Sequence, residues 1–196
     1  MPPRPIPEKE VRAAIMAGLV AVVAERGYAA TTINDIVNEA HVSKSTFYAQ
    51  FSGKEECYLA AYELASAEVL NLIVQAAGQD LPPEERIQAA SSAYLERAAR
   101  DRATTRAFIL EVLAAGPDAL AMRDTVNRRF AEVLRQLVDE HRGDDFRPLS
   151  EPAALLIVGG ANELVLSAIV EDRFDELPGL APTVADALLA AVTEPT

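Results

Sequence analysis

Tryptophan is absent from this 196-residue chain, cysteine and histidine are nearly so, and aromatic residues make up only 6% of it. Each scarcity excludes something. The single cysteine, Cys57, has no internal disulfide partner, and His41 and His141, the only histidines, cannot supply zinc-site spacing. A reducing, cytoplasmic compartment fits that composition. The longest uncharged runs, Ala13 to Ala24 and Pro152 to Asn162, fall short of the roughly 18 apolar residues that span a bilayer, so no membrane partner is expected. Arg4, Lys9 and Arg12 precede the first run as in a signal peptide. Val11, Ile15, Leu19, Val22 and Val23 nevertheless trace a helical stripe through it, and Glu8 and Glu10 dilute the positive start. The sequence offers no glycine-rich phosphate loop, no nucleophile beside a plausible histidine and no Glu-x-x-His pair. Neither an enzyme, a cofactor nor a metal is therefore expected.

What the chain has in quantity is alanine, 36 residues, within a composition that is 50% hydrophobic and 24% charged. Helical spacing persists through Glu8 to Arg26, Lys54 to Ala77, Glu84 to Ala115, Pro117 to His141, Ser150 to Val170 and Pro182 to Thr193, and nothing alternates like a strand. Pro82-Pro83, Gly116-Pro117, Arg142-Gly143, Pro148, Pro178-Gly179 and Pro182 punctuate these segments. An all-α fold follows. Charge is uneven: of the formal net −12, residues 61 to 196 carry −11, and all three lysines, Lys9, Lys44 and Lys54, lie in the first 54 residues. So acidic a chain has no global attraction for nucleic acid, and any such binding must come from a local surface.

That surface is legible between Gly27 and Glu56. Gly27 can end the first helix in a left-handed cap. Thr32 and Asp35 have the spacing of a capping box for a second, short helix, Ile33 to Ala40, with Ile33, Ile36, Val37 and Ala40 on one face. His41-Val42-Ser43 breaks it. Ser43 can cap a third helix, Lys44 to Gln50, in which Phe47 and Phe51 point inward with Val42 and leave Lys44, Ser45, Thr46, Tyr48 and Gln50 outward. Two short helices joined tightly make a helix-turn-helix, whose second helix suits the major groove of double-stranded DNA. Ser45, Thr46 and Tyr48 can donate to phosphates, while Lys44 and Gln50 can reach base edges. Ser52 and Glu55 read as a capping box for the fourth helix. That places the Lys54 cation in a first turn where the dipole disfavours it, and a bound phosphate would compensate.

The run T-T-x-x-D-I-V-x-x-A-x-V-S-x-x-T-F-Y-x-x-F-x-x-K-E, Thr31 to Glu55, resembles the DNA-binding domain of the TetR family of bacterial transcriptional regulators. The resemblance covers about the first 60 residues. It implies a homodimer reading a palindromic operator, usually as a repressor, and a carboxy-terminal domain whose small-molecule effector releases the DNA. It also implies backbone contacts by Thr32, Tyr48 and Lys54, and a recognition surface of Ser43, Lys44, Ser45, Thr46 and Gln50. The family usually has glycine in the turn where this chain has His41, which is expected to accommodate a left-handed backbone rather than to sense pH. Gln50 and Ser45 also depart from the commoner residues at their positions.

On this reading residues 1–53 form the DNA-binding domain, with a disordered tail from Met1 to Pro7 whose Arg4 is either inert or an arm to a neighbouring groove, and residues 54–196 form the effector-binding and dimerisation domain. Pro152 to Val170 is apolar almost all round and contains Gly159 and Gly160. With Pro182 to Val192 it can make half of an intermolecular four-helix bundle, or else be covered within one chain. Tyr94, Phe108, Glu111, Met122, Val126, Phe130, Asn162 and Glu163 are candidate linings of an effector pocket, the alternative being that they are ordinary core. Glu163, taken as buried, calls for a partner such as Arg173. The effector's identity is not encoded in any motif.

Overall fold

The computed structural model describes residues 7–140 and 146–193, and among these every regular element is helical. The readings that concern Arg4, His141 and the Arg142-Gly143 break lie outside the described residues. In order, the elements are α1 (Glu8–Arg26), α2 (Ile33–Glu39), α3 (Lys44–Gln50), α4 (Lys54–Ala77), α5 (Pro83–Arg100) and α6 (Arg102–Thr105). A π-turn (Arg106–Leu110) and a 3₁₀ turn (Glu111–Ala114) follow, then α7 (Pro117–Glu140), α8 (Glu151–Val170), a second 3₁₀ turn (Phe174–Leu180) and α9 (Ala181–Val192).

The caps explain most of these boundaries. α1 ends at Gly27, whose φ of +82° costs little because glycine has no β-carbon, whose ψ of 156° makes the cap extended rather than left-handed helical, and whose N–H returns to the Val23 carbonyl. Thr32 and Asp35 close the expected capping box on α2, Ser43 accepts from Thr46 N–H at the start of α3, and Ser150 does the same from Ala153 N–H for α8. The Ser52–Glu55 box is corrected. Gly53 occupies the cap of α4, and Ser52 instead donates both its N–H (2.8 Å) and its hydroxyl (2.7 Å) to Glu56.

The single helix expected over Glu84 to Ala115 is also corrected. Asp101 leaves helical geometry (φ −108°, ψ 72°) because its carboxylate caps a new turn, accepting from Thr104 N–H at 3.1 Å. The chain then passes through the π and 3₁₀ turns to Gly116 (φ +101°) and Pro117. Pro178-Gly179 does not break a loop but sits inside the Phe174–Leu180 turn, whose Phe174 and Leu177 are buried. A further correction concerns length and hydropathy. α4 and α8 are each long and apolar enough to cross a membrane once one or two carboxylates are tolerated, although each buries a face within this bundle.

One apolar cluster runs without interruption from Ile15, Leu19 and Val23 on α1 through Ile36, Phe47 and Phe51 to Tyr58 and Tyr62 on α4, then to Phe108 and Val126. α3 and the π-turn are thus anchored in the same core. A second cluster joins α7, α8 and α9 through Ala131, Val158 and Leu188, and a third joins α5, α8 and the last 3₁₀ turn through Leu95, Val165 and Leu177.

Candidate nucleic-acid interface and effector cavity

α3 has a locked side and an open side. Phe47 is fully buried, Phe51 nearly so, and the two rings lie 5.8 Å apart in the core. Opposite them Lys44, Ser45 and Tyr48 are exposed, Tyr48 by 56%, while Thr46 and Gln50 are half-buried. Tyr48 is held edge-on against Phe47 at 5.5 Å, so its phenol stands clear of the surface on a fixed base. At the start of the helix the Ser43 hydroxyl lies 2.7 Å from that of Ser45 and 2.8 Å from that of Thr46, a compact group of three hydroxyls on exposed Ser43 and Ser45 and half-buried Thr46. The preceding turn takes the left-handed backbone at His41, φ +53°, as the turn chemistry requires.

Other expected contacts are already engaged. Thr32 gives its N–H (2.9 Å) and its hydroxyl (2.6 Å) to Asp35, so it has no hydrogen left for a phosphate while the capping box stands. Those two bonds, with Arg26 at 3.2 Å contributing less, hold the Asp35 carboxyl below the usual range. Lys54 does need compensation, but two carbonyls provide it: its ammonium donates to Tyr28 O (2.7 Å) and Thr31 O (2.8 Å) and lies 4.1 Å over the Tyr28 ring. Partial burial lowers its pKa. One of its three hydrogens remains available. Gln50 is tied from both sides, its carbonyl accepting from Arg12 (2.6 Å) and its side-chain amide donating to Glu8 (3.2 Å).

Arg12 is a functional candidate that the sequence reading missed. Its guanidinium lies 4.0 Å over the Phe51 ring as well as bonding the last carbonyl of α3, so it fixes where that helix ends. Its place beside Val11 on the α1 stripe was the available signal.

A cavity of about 130 Å³ lies among α4, α5, α7, α8 and α9 and the Arg102–Leu110 segment. Tyr94, Phe108, Val126, Phe130 and Asn162 line it as expected. Three expectations fail. Met122 packs against the core cluster without lining the cavity, and Glu111 turns the other way, accepting from Tyr28 N–H at 2.8 Å. Glu163 is exposed on the far face of α8, while Arg173 pairs with Glu171 and Glu176. Helical phase is the reason: Asn162 and Glu163 are successive residues, about 100° apart around the axis, and only one can face inward. Asn127 and Arg97, which the sequence reading passed over, line the cavity. The Tyr94 hydroxyl donates to Asn162 Oδ1 (2.7 Å) and Asn162 Nδ2 donates to Asn127 Oδ1 (3.1 Å). Burial raises the Tyr94 pKa, so this hydroxyl stays a neutral donor.

The two regions are joined. Tyr58 on α4 donates to the Ala107 carbonyl of the π-turn at 2.7 Å, Phe108 of that turn stacks on Tyr62 at 4.9 Å, and Glu111 beyond it holds the residue after Gly27.

Residues 15–61 match the sequence model described as bacterial regulatory proteins, tetR family. The HTH-type transcriptional activator FasR of Mycolicibacterium smegmatis is 30% identical over 91 residues, which are 46% of this chain and 42% of FasR; the chain thus aligns with less than half of that relative's length. Two solved structures resemble the whole fold. The fatty acid degradation regulator FadR of Bacillus halodurans superposes with a TM-score of 0.81 at 22% identity, over 90% of this chain and 97% of its own. FadR of Bacillus subtilis, solved in complex with stearoyl-CoA, gives 0.80 at 19% identity over 91% and 98%.

Proposed function

We propose that the chain, whose residues 15–61 match the TetR family of bacterial regulatory proteins, is a homodimeric, DNA-binding transcriptional regulator of that family whose grip on a palindromic operator is set by a small molecule in the α4–α9 cavity. The observation that carries this reading is α3: a group of hydroxyls with Lys44 and Tyr48, borne on a helix whose opposite side is fixed by Phe47 and Phe51. Ser45, Thr46 and Tyr48 contact phosphates, Lys44 and Gln50 read base edges, and Lys54 offers its remaining hydrogen to the backbone. Residues 1–53 supply the DNA-binding unit and residues 54–196 the effector and dimer surfaces.

The cavity lining is mainly apolar, which suits a largely hydrophobic effector, and a structural relative holds an acyl-CoA. The dimer forms through Pro152–Val170 and Pro182–Val192. Leu156 and Val170 stand 76% and 69% exposed on α8, and a side chain built at Gly159 or Gly160 would meet nothing within 4 Å. The proposed sense is repression. Selection of duplexes from a random pool by the purified chain tests the reading. It predicts an enriched inverted repeat with half-sites about 34 to 36 Å apart, and a pool that stays unenriched contradicts it.

A further inference from the structure

Among the described residues, Gln50 is the member of the α3 reading face that another helix holds by hydrogen bonds. Its main chain is fixed by Arg12. The Gln50 carbonyl accepts from Arg12 Nη1 at 2.6 Å, and the same guanidinium lies 4.0 Å over Phe51, so the end of α3 cannot shift against α1 without breaking both contacts. Its side chain is fixed by Glu8, one turn before Arg12 on α1. Gln50 Nε2 donates to Glu8 Oε1 at 3.2 Å.

A side-chain amide has an oxygen that only accepts and a nitrogen that only donates, whereas an ionised carboxylate only accepts. Glu8 can therefore hold Gln50 by Nε2 and would repel Oε1. The contact sets the flip of the amide. What stays open is Oε1, which has no partner among the described residues, together with one Nε2 hydrogen. In the major groove adenine offers an N6 donor beside the N7 acceptor, while guanine offers two acceptors, O6 and N7. An amide presenting a free acceptor with one donor fits adenine. Against guanine, Oε1 would meet O6, acceptor to acceptor.

We infer that Glu8 is a specificity-positioning residue: by holding the Gln50 amide in one flip it makes the chain prefer adenine over guanine at one base pair of each half-site. This rests on the reading of α3 as the DNA-binding helix proposed above. Glu8 also has a plain structural use, since an acid in the first turn complements the helix dipole. Glu10 shares that place on α1, and no hydrogen bond joins it to Gln50, so it separates the two roles.

The test selects duplexes from a random pool with the full chain and with its Glu8→Ala, Glu8→Lys, Glu10→Ala and Gln50→Ala variants, thermal unfolding being checked for each. Gln50→Ala identifies the base pair by losing the preference there. Affinities are then measured for the selected site with adenine or guanine at that position. The parent is expected to favour adenine about tenfold, and Glu8→Ala, whose amide is free to turn, by no more than about twofold. Glu8→Lys has an ammonium that only donates, so it holds Oε1, turns Nε2 outward and is expected to reverse the preference toward guanine. Glu10→Ala is expected to keep the parent's preference. A folded Glu8→Ala or Glu8→Lys protein that retains the adenine preference, or that changes affinity equally for both duplexes, would overturn the inference. If those variants retain it while Gln50→Ala loses it, base reading by α3 stands and only the role of Glu8 falls. A parent chain that selects no site removes the proposed DNA reading and this inference with it.

Discussion

Gly27 illustrates how much one residue carries. Its φ is +82°, and a β-carbon there would come within 3.1 Å of the Glu111 carboxylate that holds the next N–H. Gly27→Ala is expected to destabilise the fold by about 1 kcal/mol or more, read as a lowered midpoint in urea. Asp35 and Glu56 make the same region acid-sensitive. Hydrogen bonds from Thr32 and from Ser52 hold these carboxyls below their usual values. Their folded pKa values are thus depressed, so their contribution is fully present above about pH 4 and is lost as pH falls through the lowered values. Melting profiles from pH 7 to 3 should steepen in that acid range, and Asp35→Asn should flatten part of the change while lowering stability at pH 7. Cys57 is buried and its thiol is pushed up to about 12, mainly by desolvation. Iodoacetamide at pH 8 should leave it unmodified until the chain is unfolded; native labelling would contradict that burial.

At the scale of elements, the strongest constraint is on α3, which is too short to be stable alone and persists because Phe47, Phe51 and Arg12 fasten it. Phe47→Ala should cost about 3 to 5 kcal/mol, a loss read by denaturant unfolding. Arg12→Met should weaken operator binding with little change in sequence preference, since it touches α3 and not its outward face. Tyr58→Phe removes the bond to the Ala107 carbonyl and should cost about 1 kcal/mol. The helix-turn-helix was legible residue by residue because its signals are local: a cap, a three-residue spacing, a period. The break at Asp101 was not, because the same carboxylate that pairs with Arg97 four residues earlier as an in-helix partner also caps the next turn, and the sequence does not rank the two. The cavity was half legible. Aromatic and apolar stripes point inward by periodicity, but whether Asn162 or Glu163 shares that direction depends on a phase set by packing.

The whole molecule sets an acidic body behind a nearly neutral reading surface, with −11 of the net −12 charge in residues 61 to 196. Raising salt therefore screens both the attraction of Lys44 for DNA and the repulsion from the body. The exposed face of α8 carries Leu156, Gly159, Gly160 and Val170, with the Glu163 carboxylate among them. Leu156→Arg should convert a dimer into a monomer by light scattering, and a wild-type chain that is monomeric at tens of micromolar would remove the proposed interface.

The central claim is that the exposed side of α3 holds DNA by its hydroxyls. The most direct test is the affinity of Tyr48→Phe for two unrelated half-site sequences, measured beside the parent chain across a salt series. The phenol bonds a phosphate and carries no charge, so the account predicts an equal loss on both sequences, about five- to tenfold, with an unchanged salt slope. A folded Tyr48→Phe protein that binds both duplexes as tightly as the parent would contradict it.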